Sequence, residues 1–435
     1  MVKRENSKTK LINAWVTYDF ANSAYNLVIT ATLFPIYYGI VTSRDLADGT
    51  TTNLVNIVGL SVKNTSLYDF ALAGAYLLVA LLVPFLSGIA DYSGRKKSFM
   101  SFFCYLGGIS CSCMYFFDST NIGFGLLMAA MACIGFSGSL VFYNAFLPEI
   151  ASPEDQDHVS ARGFSMGYWG SSILLLLCLT LINSVEGGQD KLMMMRYSFV
   201  LVGVWWIGFA QIPLIILPNN SSNIKGKGHW LLHGFQELMK VWSELKEHKN
   251  LIRFLPAFFV YSMGVQTVML VATHFAKHEI GMESAQLITT ILIIQFVALI
   301  GAYLFSFCSA RFGNILTLRI AVAIWAGICF FTYYFVYQPL EFFIVAGLVG
   351  LVMGGIQALS RSTFSKMLPE TVDHSSYFSF YDVCEKLSIV FGMLIFGIID
   401  QSSSTMRTPI LSLILFFVLG FILLQRVSNR FLPTR

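Results

Sequence analysis

The chain has 435 residues, of which 56% are hydrophobic and only 12% are charged. Soluble domains carry about 25% charged residues, so this composition excludes an ordinary water-soluble protein. The mean hydropathy is +0.67, and apolar runs of about 20 residues, the length that spans a bilayer as a helix, recur along the chain. Barrel strands would instead alternate in polarity over about 10 residues. The sequence therefore predicts an all-α polytopic membrane protein.

Hydropathy between polar breaks predicts twelve membrane-spanning helices. The predicted spans are 14–40, 67–91, 98–117, 122–147, 162–184, 197–217, 253–275, 285–308, 316–335, 341–366, 377–400 and 408–426. The N-terminal segment lacks a small-residue cleavage site and leads into a span with Asp19 and Asn22, so we interpret it as a cytoplasmic start rather than a removable signal. Of the 28 Lys and Arg residues, six fall on predicted outer segments and two, Arg361 and Lys386, within spans. The remaining twenty lie on or beside inner segments, which predicts that both termini are cytoplasmic.

The spans divide into two related halves. We predict an N-terminal six-helix bundle at 1–217, a cytoplasmic linker at 218–252 and a C-terminal six-helix bundle at 253–435. The ends of the second and eighth spans, which contain Asp91 and Ala310, resemble each other at an offset of 219 residues. The ends of the fourth and tenth, Leu147-Pro148-Glu149 and Leu368-Pro369-Glu370, match at 221. Two offsets near half the chain length indicate a duplication.

The linker contains a predicted amphipathic helix. Its apolar positions recur at helical spacing and its charged positions lie opposite: Leu231, Phe235, Leu238, Trp242 and Leu245 against Glu237, Lys240, Glu244 and Glu247. Such a helix either lies on the membrane surface or packs against its own protein.

Several function classes lack their sequence signals. The eight Cys residues lack metal-ligand spacing, and the chain has no P-loop, no GxSxG elbow and no dinucleotide fingerprint. We therefore predict that the protein is not an enzyme and uses no cofactor, metal ion or nucleic-acid partner.

The first span carries polar residues within the bilayer, where burying a polar group costs free energy. Asp19, Asn22, Ser23, Asn26 and Thr30 share one helical face, and buried polar groups in a membrane usually face a bundle interior or an aqueous cavity. This stripe either lines a solute pathway or forms interhelical hydrogen bonds that hold the bundle together.

The second half has charges within its spans. Asp382 and Lys386 are spaced for a helical ion pair, which leaves Glu385 without an obvious local partner. The triplet is either a substrate or proton site or a structural ion pair. Arg361 lies about 10 Å inside the inner end of its span, where it could pair with an acid, hold a carboxylate or extend to the cytoplasmic surface. Gly347, Gly350 and Gly354 have the spacing of a close helix contact.

A short charged motif, Asp91, Gly94, Arg95 and Lys96, follows the second span. It resembles the signature between helices 2 and 3 of the major facilitator superfamily, except that Ser87 and Tyr92 replace the usual Gly and Arg. In the superfamily these charged residues form a cytoplasmic relay with the other half and stabilise one access state. The second-half copy keeps Arg311 and Gly313 but has Ala310 in place of the acid.

Three further stretches narrow the resemblance: Tyr18 to Tyr25, Tyr143 to Glu149 continuing at Ser160 to Phe164, and Gly354 to Ser362. They resemble the vacuole-effluxer-like branch of this superfamily, whose fungal members are associated with the release of amino acids from the vacuole during autophagy. The resemblance covers both halves.

The resemblance implies two six-helix bundles with a solute site near the midplane, lined by helices 1, 4, 7 and 10. The substrate-binding candidates are Asp19, Asn22, Asn26, Asn144, Gln266, Arg361 and Lys386. For a zwitterionic amino acid, Asp19 would meet the ammonium group and Arg361 the carboxylate. The candidates for proton coupling are Asp19, Glu149, Asp382 and Glu385.

We therefore expect a secondary active transporter of a small polar organic solute, with amino acids as candidate substrates and the proton as candidate coupling ion. It would work as a monomer in the lipid bilayer of a bacterial inner membrane or, alternatively, a vacuolar membrane. Two other readings stay open. One is a transport-inactive receptor or scaffold that signals through 218–252, and the other is a transporter of hydrophobic solutes or lipids, because positions around Met263 and Val268 are apolar.

Overall fold

The computed structural model describes residues 2–45, 51–57, 60–219, 230–403 and 405–428. Helices occupy all twelve predicted spans. In the first half they are α1 Val2–Ala24, a π-helix Tyr25–Leu33 and α2 Phe34–Thr42, which together form the first span, then α3 Asn64–Ser93, α4 Lys96–Cys113, α5 Ile122–Asn144, α6 Leu147–Ile150, α7 Gln156–Asn183 and α8 Gly188–Ile216. The later helices are α9 Trp230–Glu247, α10 Lys249–His278, α11 Ser284–Phe312, α12 Asn314–Phe335, α13 Pro339–Met367, α14 His374–Gln401, α15 Arg407–Ser412 and α16 Ile414–Gln425.

The twelve-span prediction is confirmed, although one span is unusual. Within the described ranges, eleven helical segments are long and apolar enough to cross a membrane. The twelfth is α14, whose 28 residues include Asp382, Glu385 and Lys386. These charges lower the hydropathy of α14 without shortening it, so its length still suffices to span.

Two antiparallel hairpins follow the first span, in a loop for which the sequence analysis predicted no structure. Strand β1 (Arg44–Asp45) pairs with β2 (Thr51–Thr52), and β3 (Leu54–Ile57) pairs with β4 (Leu60–Lys63). The segment is rich in Thr, Val and Ile, which favour extended structure. The strands have two to four residues each, which is too short to span a membrane.

Glycines bring α11 and α13 close together, as the small-residue spacing predicts. A Cβ at Gly350 would meet the carbonyl oxygen of Ile294, and one at Gly354 would meet that of Ala298. Gly347 has no atom near its Cβ position and does not take part. This pair of helices is therefore packed backbone to backbone.

Helix α9 packs on the protein at the end of the bundle that the charge bias predicts to be cytoplasmic, called the inner end below. Lys240 Nζ lies 2.9 Å from Asp373 Oδ2 and 2.8 Å from Glu237 Oε1, and Tyr377 donates to Glu244 over 3.1 Å. Hydrogen bonds to Glu237 and Asp373 raise the pKa of Lys240 above its usual range. The predicted amphipathic segment is thus helical from Trp230 and docked, whereas 220–229 lie outside the described residues.

Candidate functional site

A cavity of about 240 Å³, lined by both polar and apolar side chains, lies between the two halves. Its walls come from α1, α5, α10 and α13, the helices that the resemblance implies, and also from the π-helix, α3, α7, α11 and α14. All seven candidate substrate residues line it: Asp19, Asn22, Asn26, Asn144, Gln266, Arg361 and Lys386. Residues more than 340 positions apart in the chain therefore line one cavity.

An ion pair between the halves forms the inner floor of this cavity. Arg361 Nη1 of α13 lies 3.2 Å from Asp19 Oδ2 of α1, and both side chains are almost fully buried, at 3% and 6% exposure. Tyr143 of α5 donates its hydroxyl to the same carboxylate oxygen over 2.7 Å. Of the three alternatives for Arg361, extension to the cytoplasmic surface is therefore wrong, because the nearby acid offers a partner inside the protein.

The remaining donors of Arg361 bind across the interface to α7 and α5. Its Nε donates to Ser160 Oγ at 3.0 Å and its Nη2 to the Ser160 carbonyl at 2.9 Å. Its Nη1 also approaches Asn144 Oδ1 at 3.4 Å. The guanidinium lies over the rings of Phe164 and Trp15, with its centre 4.1 and 4.8 Å from their centroids. Such rings stabilise a cation that has left water.

A glycine makes room for this pair. A Cβ on Gly163 of α7 would lie 2.5 Å from Asp19 Oδ2 and 2.9 Å from Arg361 Nη2. Both distances are shorter than van der Waals contact, so any larger residue would push the two charges apart. Gly163 belongs to one of the stretches that carry the family resemblance.

The polar stripe of the first span faces the cavity along its whole length. Asp19, Asn22, Ser23, Asn26 and Thr30 all line it, although the helix changes from α to π at Tyr25. Asn22 Nδ2 and Thr30 Oγ1 are buried and have no hydrogen-bond partner within the described part of the chain. Ser23 donates to Asn22 of its own helix. Within the described ranges, the stripe beyond Asp19 therefore makes none of the interhelical hydrogen bonds that the alternative reading requires.

The charged triplet of α14 lies at the same cavity. Lys386 Nζ is 3.2 Å from Asp382 Oδ1, as the spacing predicts, and 3.0 Å from Glu385 Oε2. Glu385 also accepts a 3.3 Å hydrogen bond from Gln266 of α10. The expectation that Glu385 lacks a local partner is wrong, because Lys386 reaches both acids. Glu385 and Lys386 line the cavity, and Asp382 lies behind them.

The motif that begins with Asp91 at the end of α3 helps to close the inner end of the protein. Asp91 accepts hydrogen bonds from the backbone N–H groups of Ser375 and Ser376 at 3.3 and 2.7 Å, and from the Ser376 hydroxyl at 2.8 Å. These donors belong to the first turn of α14, where free N–H groups favour an anion. Gly94 ends α3 in the left-handed conformation, with φ of 64°, which a residue without a Cβ adopts at little cost.

The basic residues of the motif have separate positions. Lys96 contacts Glu149 directly, and His374 Nδ1 of the second half lies 3.1 Å from the same carboxylate oxygen. Arg95 is exposed at the surface. Glu149 therefore lies at the inner end, away from the cavity, unlike the other proton-coupling candidates.

A second closing cluster was missed from the sequence. Asp157 at the start of α7 accepts from Ser309 Oγ and Asn314 Nδ2, both at 2.7 Å, and pairs with Lys366 Nζ at 2.6 Å. Asp157 in the first half corresponds to Ser376 in the second, because these two residues are 219 positions apart, as Asp91 and Ala310 are. The repeated contact therefore has its acid on α7, at Asp157, and not on α11, at Ala310. Shifting both residues of the contact between Asp91 and Ser376 by this offset leads to Ala310 and Asp157, and so predicts the second cluster.

Comparison with known proteins identifies the family. The model of the vacuole effluxer Atg22-like family matches residues 7–430. The chain belongs to this family. The uncharacterised MFS-type transporter YxiO of Bacillus subtilis (strain 168) is 32% identical over 425 residues, 97% of this chain and 95% of that protein. Autophagy-related protein 22 of Eremothecium gossypii is 29% identical over 400 residues, 83% of this chain and 76% of that protein.

Solved structures agree on the fold of this vacuole-effluxer-like protein. The proton:xylose symporter XylE superposes with a TM-score of 0.70 at 12% identity, over 96% of this chain and 95% of that one. The E. coli fucose:proton symporter FucP gives 0.67 at 17% identity, over 97% and 98%. The predicted major facilitator fold of twelve helices in two bundles is confirmed.

The contacts between the bundles describe one access state of this fold. Arg361, the Asp91 contacts, the Glu149 contacts and the Asp157 cluster all join the halves at the cavity floor or nearer the inner end. From that floor, the lining along the first span continues from Asp19 to Ala31, a distance of about 18 Å toward the outer end. The inner side of the cavity is therefore closed.

Proposed function

We propose that this protein is a secondary active transporter that moves a small zwitterionic solute, of the amino-acid type, across its membrane by alternating access. The observation that carries the proposal is the buried Asp19–Arg361 pair at the floor of the cavity between the halves. A cavity of about 240 Å³ suits a small solute, since drug-sized ligands occupy about 300–1,000 Å³.

The recognition chemistry follows from the charges. The planar guanidinium of Arg361 matches a carboxylate, and Asp19 matches an ammonium group. The two groups are paired with each other, so an incoming zwitterion can exchange one internal ion pair for two external ones without leaving a buried charge unpaired. The amide nitrogen of Asn22 and the hydroxyl of Thr30, which have no hydrogen-bond partner among the described residues, offer further polar contacts beside Asp19.

The guanidinium of Arg361 also links solute binding to the movement of the two halves. Arg361 binds Ser160 of the first half through two donors. A solute carboxylate that recruits those donors weakens a contact that keeps the inner side closed. Binding energy is thereby used for the opening of the halves, which alternating access requires.

Proton coupling is part of the proposal. Asp19, Asp382 and Glu385 lie at or beside the cavity, whereas Glu149 belongs to the inner closure. The bacterial relative supports a bacterial plasma membrane as the location, with both termini cytoplasmic from the charge bias. We propose the 1–217 and 253–435 boundaries for the two bundles, action as a monomer, and no catalytic role.

Reconstituted transport tests the proposal. Full-length protein in proteoliposomes should accumulate one or more radiolabelled L-amino acids from a panel under an imposed pH gradient. Asp19→Asn and Arg361→Gln should each abolish this uptake, whereas Glu186→Gln, an exposed outer-loop change, should not. Wild-type protein that moves no amino acid in either direction, or uptake that survives both cavity variants, would contradict the proposal.

A further inference from the structure

The charges around the cavity do not cancel, and the surplus lies on α14. Asp19 is paired with Arg361. Beyond the cavity, at the inner end, Glu149 is paired with Lys96 and His374. On α14 one ammonium, Lys386, lies between two carboxylates at 3.2 and 3.0 Å. With both acids ionised, this triplet has a net charge of minus one inside a spanning helix, where an unbalanced charge costs about 3 kcal/mol or more.

The two acids of the triplet have different surroundings. The side chain of Asp382 is 5% exposed, and its Oδ2 has no hydrogen-bond partner in the described ranges. A buried carboxylate oxygen without a donor is destabilising, whereas a proton on that carboxyl removes the charge. Glu385 is 26% exposed and lies on the cavity wall, so water in the cavity can reach it.

Among the residues that the structure describes, no full charge from another helix compensates the triplet directly. The groups that interact with it are neutral: Tyr76 of α3, Cys133 of α5, Gln266 of α10, and Tyr381 and Cys384 of α14 itself. Arg361 interacts with Tyr381, but Asp19 holds its charge. A single bound proton would neutralise the whole triplet.

We infer that the Asp382–Lys386–Glu385 triplet binds the coupling proton, one per transport cycle, at a site separate from the Asp19–Arg361 solute pair. The proton enters from the cavity at Glu385 and is held as a carboxyl O–H on one of the two acids, while Lys386 pairs with the acid that stays ionised. After the halves rock, the same O–H bond breaks and the proton passes to water on the other side. This inference rests on the proposed function, because it assigns the driving ion of that transport cycle.

Two single substitutions test the site without stranding a charge. Glu385→Gln and Asp382→Asn each remove the surplus charge and leave Lys386 with one acid, so the fold keeps a balanced pair. Full-length protein on a solid-supported membrane receives an external pH step with no solute present. Wild type and Asp400→Asn, the same change at the outer end of the same helix, should give a transient charge displacement, and both triplet variants should lose it.

The solute pair provides the contrasting result. Asp19→Asn should retain the pH-step transient although it loses solute. A transient that persists in both triplet variants, or that disappears in Asp19→Asn, would overturn the assignment.

Counterflow separates this inference from the proposed function. Exchange of a radiolabelled L-amino-acid mixture without a pH gradient requires the solute site alone, so both triplet variants should retain it, which also demonstrates folding, while they lose accumulation driven by the gradient. Gradient-driven accumulation that persists in either variant would contradict the site. If wild type exchanges no amino acid, the proposed function fails, and the pH-step result still decides whether the triplet binds a proton.

Discussion

Arg361 donates to Ser160 twice, from Nε to the hydroxyl at 3.0 Å and from Nη2 to the carbonyl at 2.9 Å. Because Arg361 lines the cavity between the halves and Ser160 lies in the other bundle, one guanidinium belongs to both the proposed solute site and the inner closure. Hydrogen bonds to charged groups contribute about 1.5–3 kcal/mol, enough to change the population of two access states more than tenfold.

Ser160→Ala should therefore shift the protein toward the state that is open at its inner end. Spin labels at Arg95 and Glu370, exposed positions in the two halves, should report a larger fraction of long distances. Ser139→Ala is the matched control, because that hydroxyl donates to the Phe136 carbonyl of its own helix and its neighbour Tyr18 lies in the same bundle. Equal distance distributions in the two variants would argue against a closing role for Ser160.

Replacing one residue of the Asp19–Arg361 pair should be more destabilising than replacing both. Arg361→Gln leaves Asp19 buried and uncompensated, a loss of about 3–5 kcal/mol for such pairs, while the double variant with Asp19→Asn should recover part of that loss. The apparent melting temperature in detergent measures the cycle. The exposed pair Lys8–Asp155 is the control, and its removal should change stability by less than about 1 kcal/mol. Additive effects of the two floor substitutions would show that the pair is not coupled.

Gly163→Ala should impair solute binding while leaving the fold intact. The added methyl would lie against Asp19 Oδ2 and Arg361 Nη2, and overpacking costs about 1–3 kcal/mol, which corresponds to about 5- to 150-fold weaker binding. Thermal-shift titration with the transported solute measures it. Gly208→Ala, where the new Cβ meets no atom within 4 Å, should bind normally. Unchanged affinity in Gly163→Ala would refute the positioning role.

Asp157→Ser should open the inner end, because Lys366, Ser309 and Asn314 lose their common partner. Adding Ser309→Asp returns the acid to the α11 side of the contact, where the first half has it at Asp91, and should restore closure. The spin-label pair at Arg95 and Glu370 reads both steps. Failure of the double variant to recover the closed distance, with its fold intact, would mean that the position of the acid matters more than the ion pair.

Docking of α9 should depend on Lys240 and resist alkaline pH. The pKa of Lys240 is raised by Glu237 and Asp373, so its stabilising contribution is complete below the ordinary lysine value of about 10.4 and is lost only as pH rises through the higher folded value. Hydrogen exchange in α9 should be slow at pH 7 to 9 after correction for the intrinsic rate, and faster in Lys240→Ala. A loss of protection between pH 7 and 9 in wild type would contradict this account.

Local signals in the sequence were sufficient for the helices and for much of the cavity. Apolar runs located the twelve spans, and the high cost of burying charge singled out Asp19, Arg361 and the α14 triplet. Partners that lie across the interface gave no such signal. Ser160 and Arg361 are 201 residues apart, and Asp157 resembles an ordinary acid in the first turn of a helix. Pairing between bundles depends on how the halves meet, which periodicity within each helix does not encode.

The π-helix Tyr25–Leu33 has a mechanical consequence for the first span. Its amides bond five residues back, as Phe34 does to Ile29, so the segment contains more residues per turn than the α-helices on either side. Tightening one such turn to α would rotate everything beyond it by about 100° about the helix axis. The outer part of the pathway could thus present a different set of side chains while Asp19 keeps its place at the floor. Such a change would rotate the outer part of the first span about its axis and leave the inner part, with Asp19, in place.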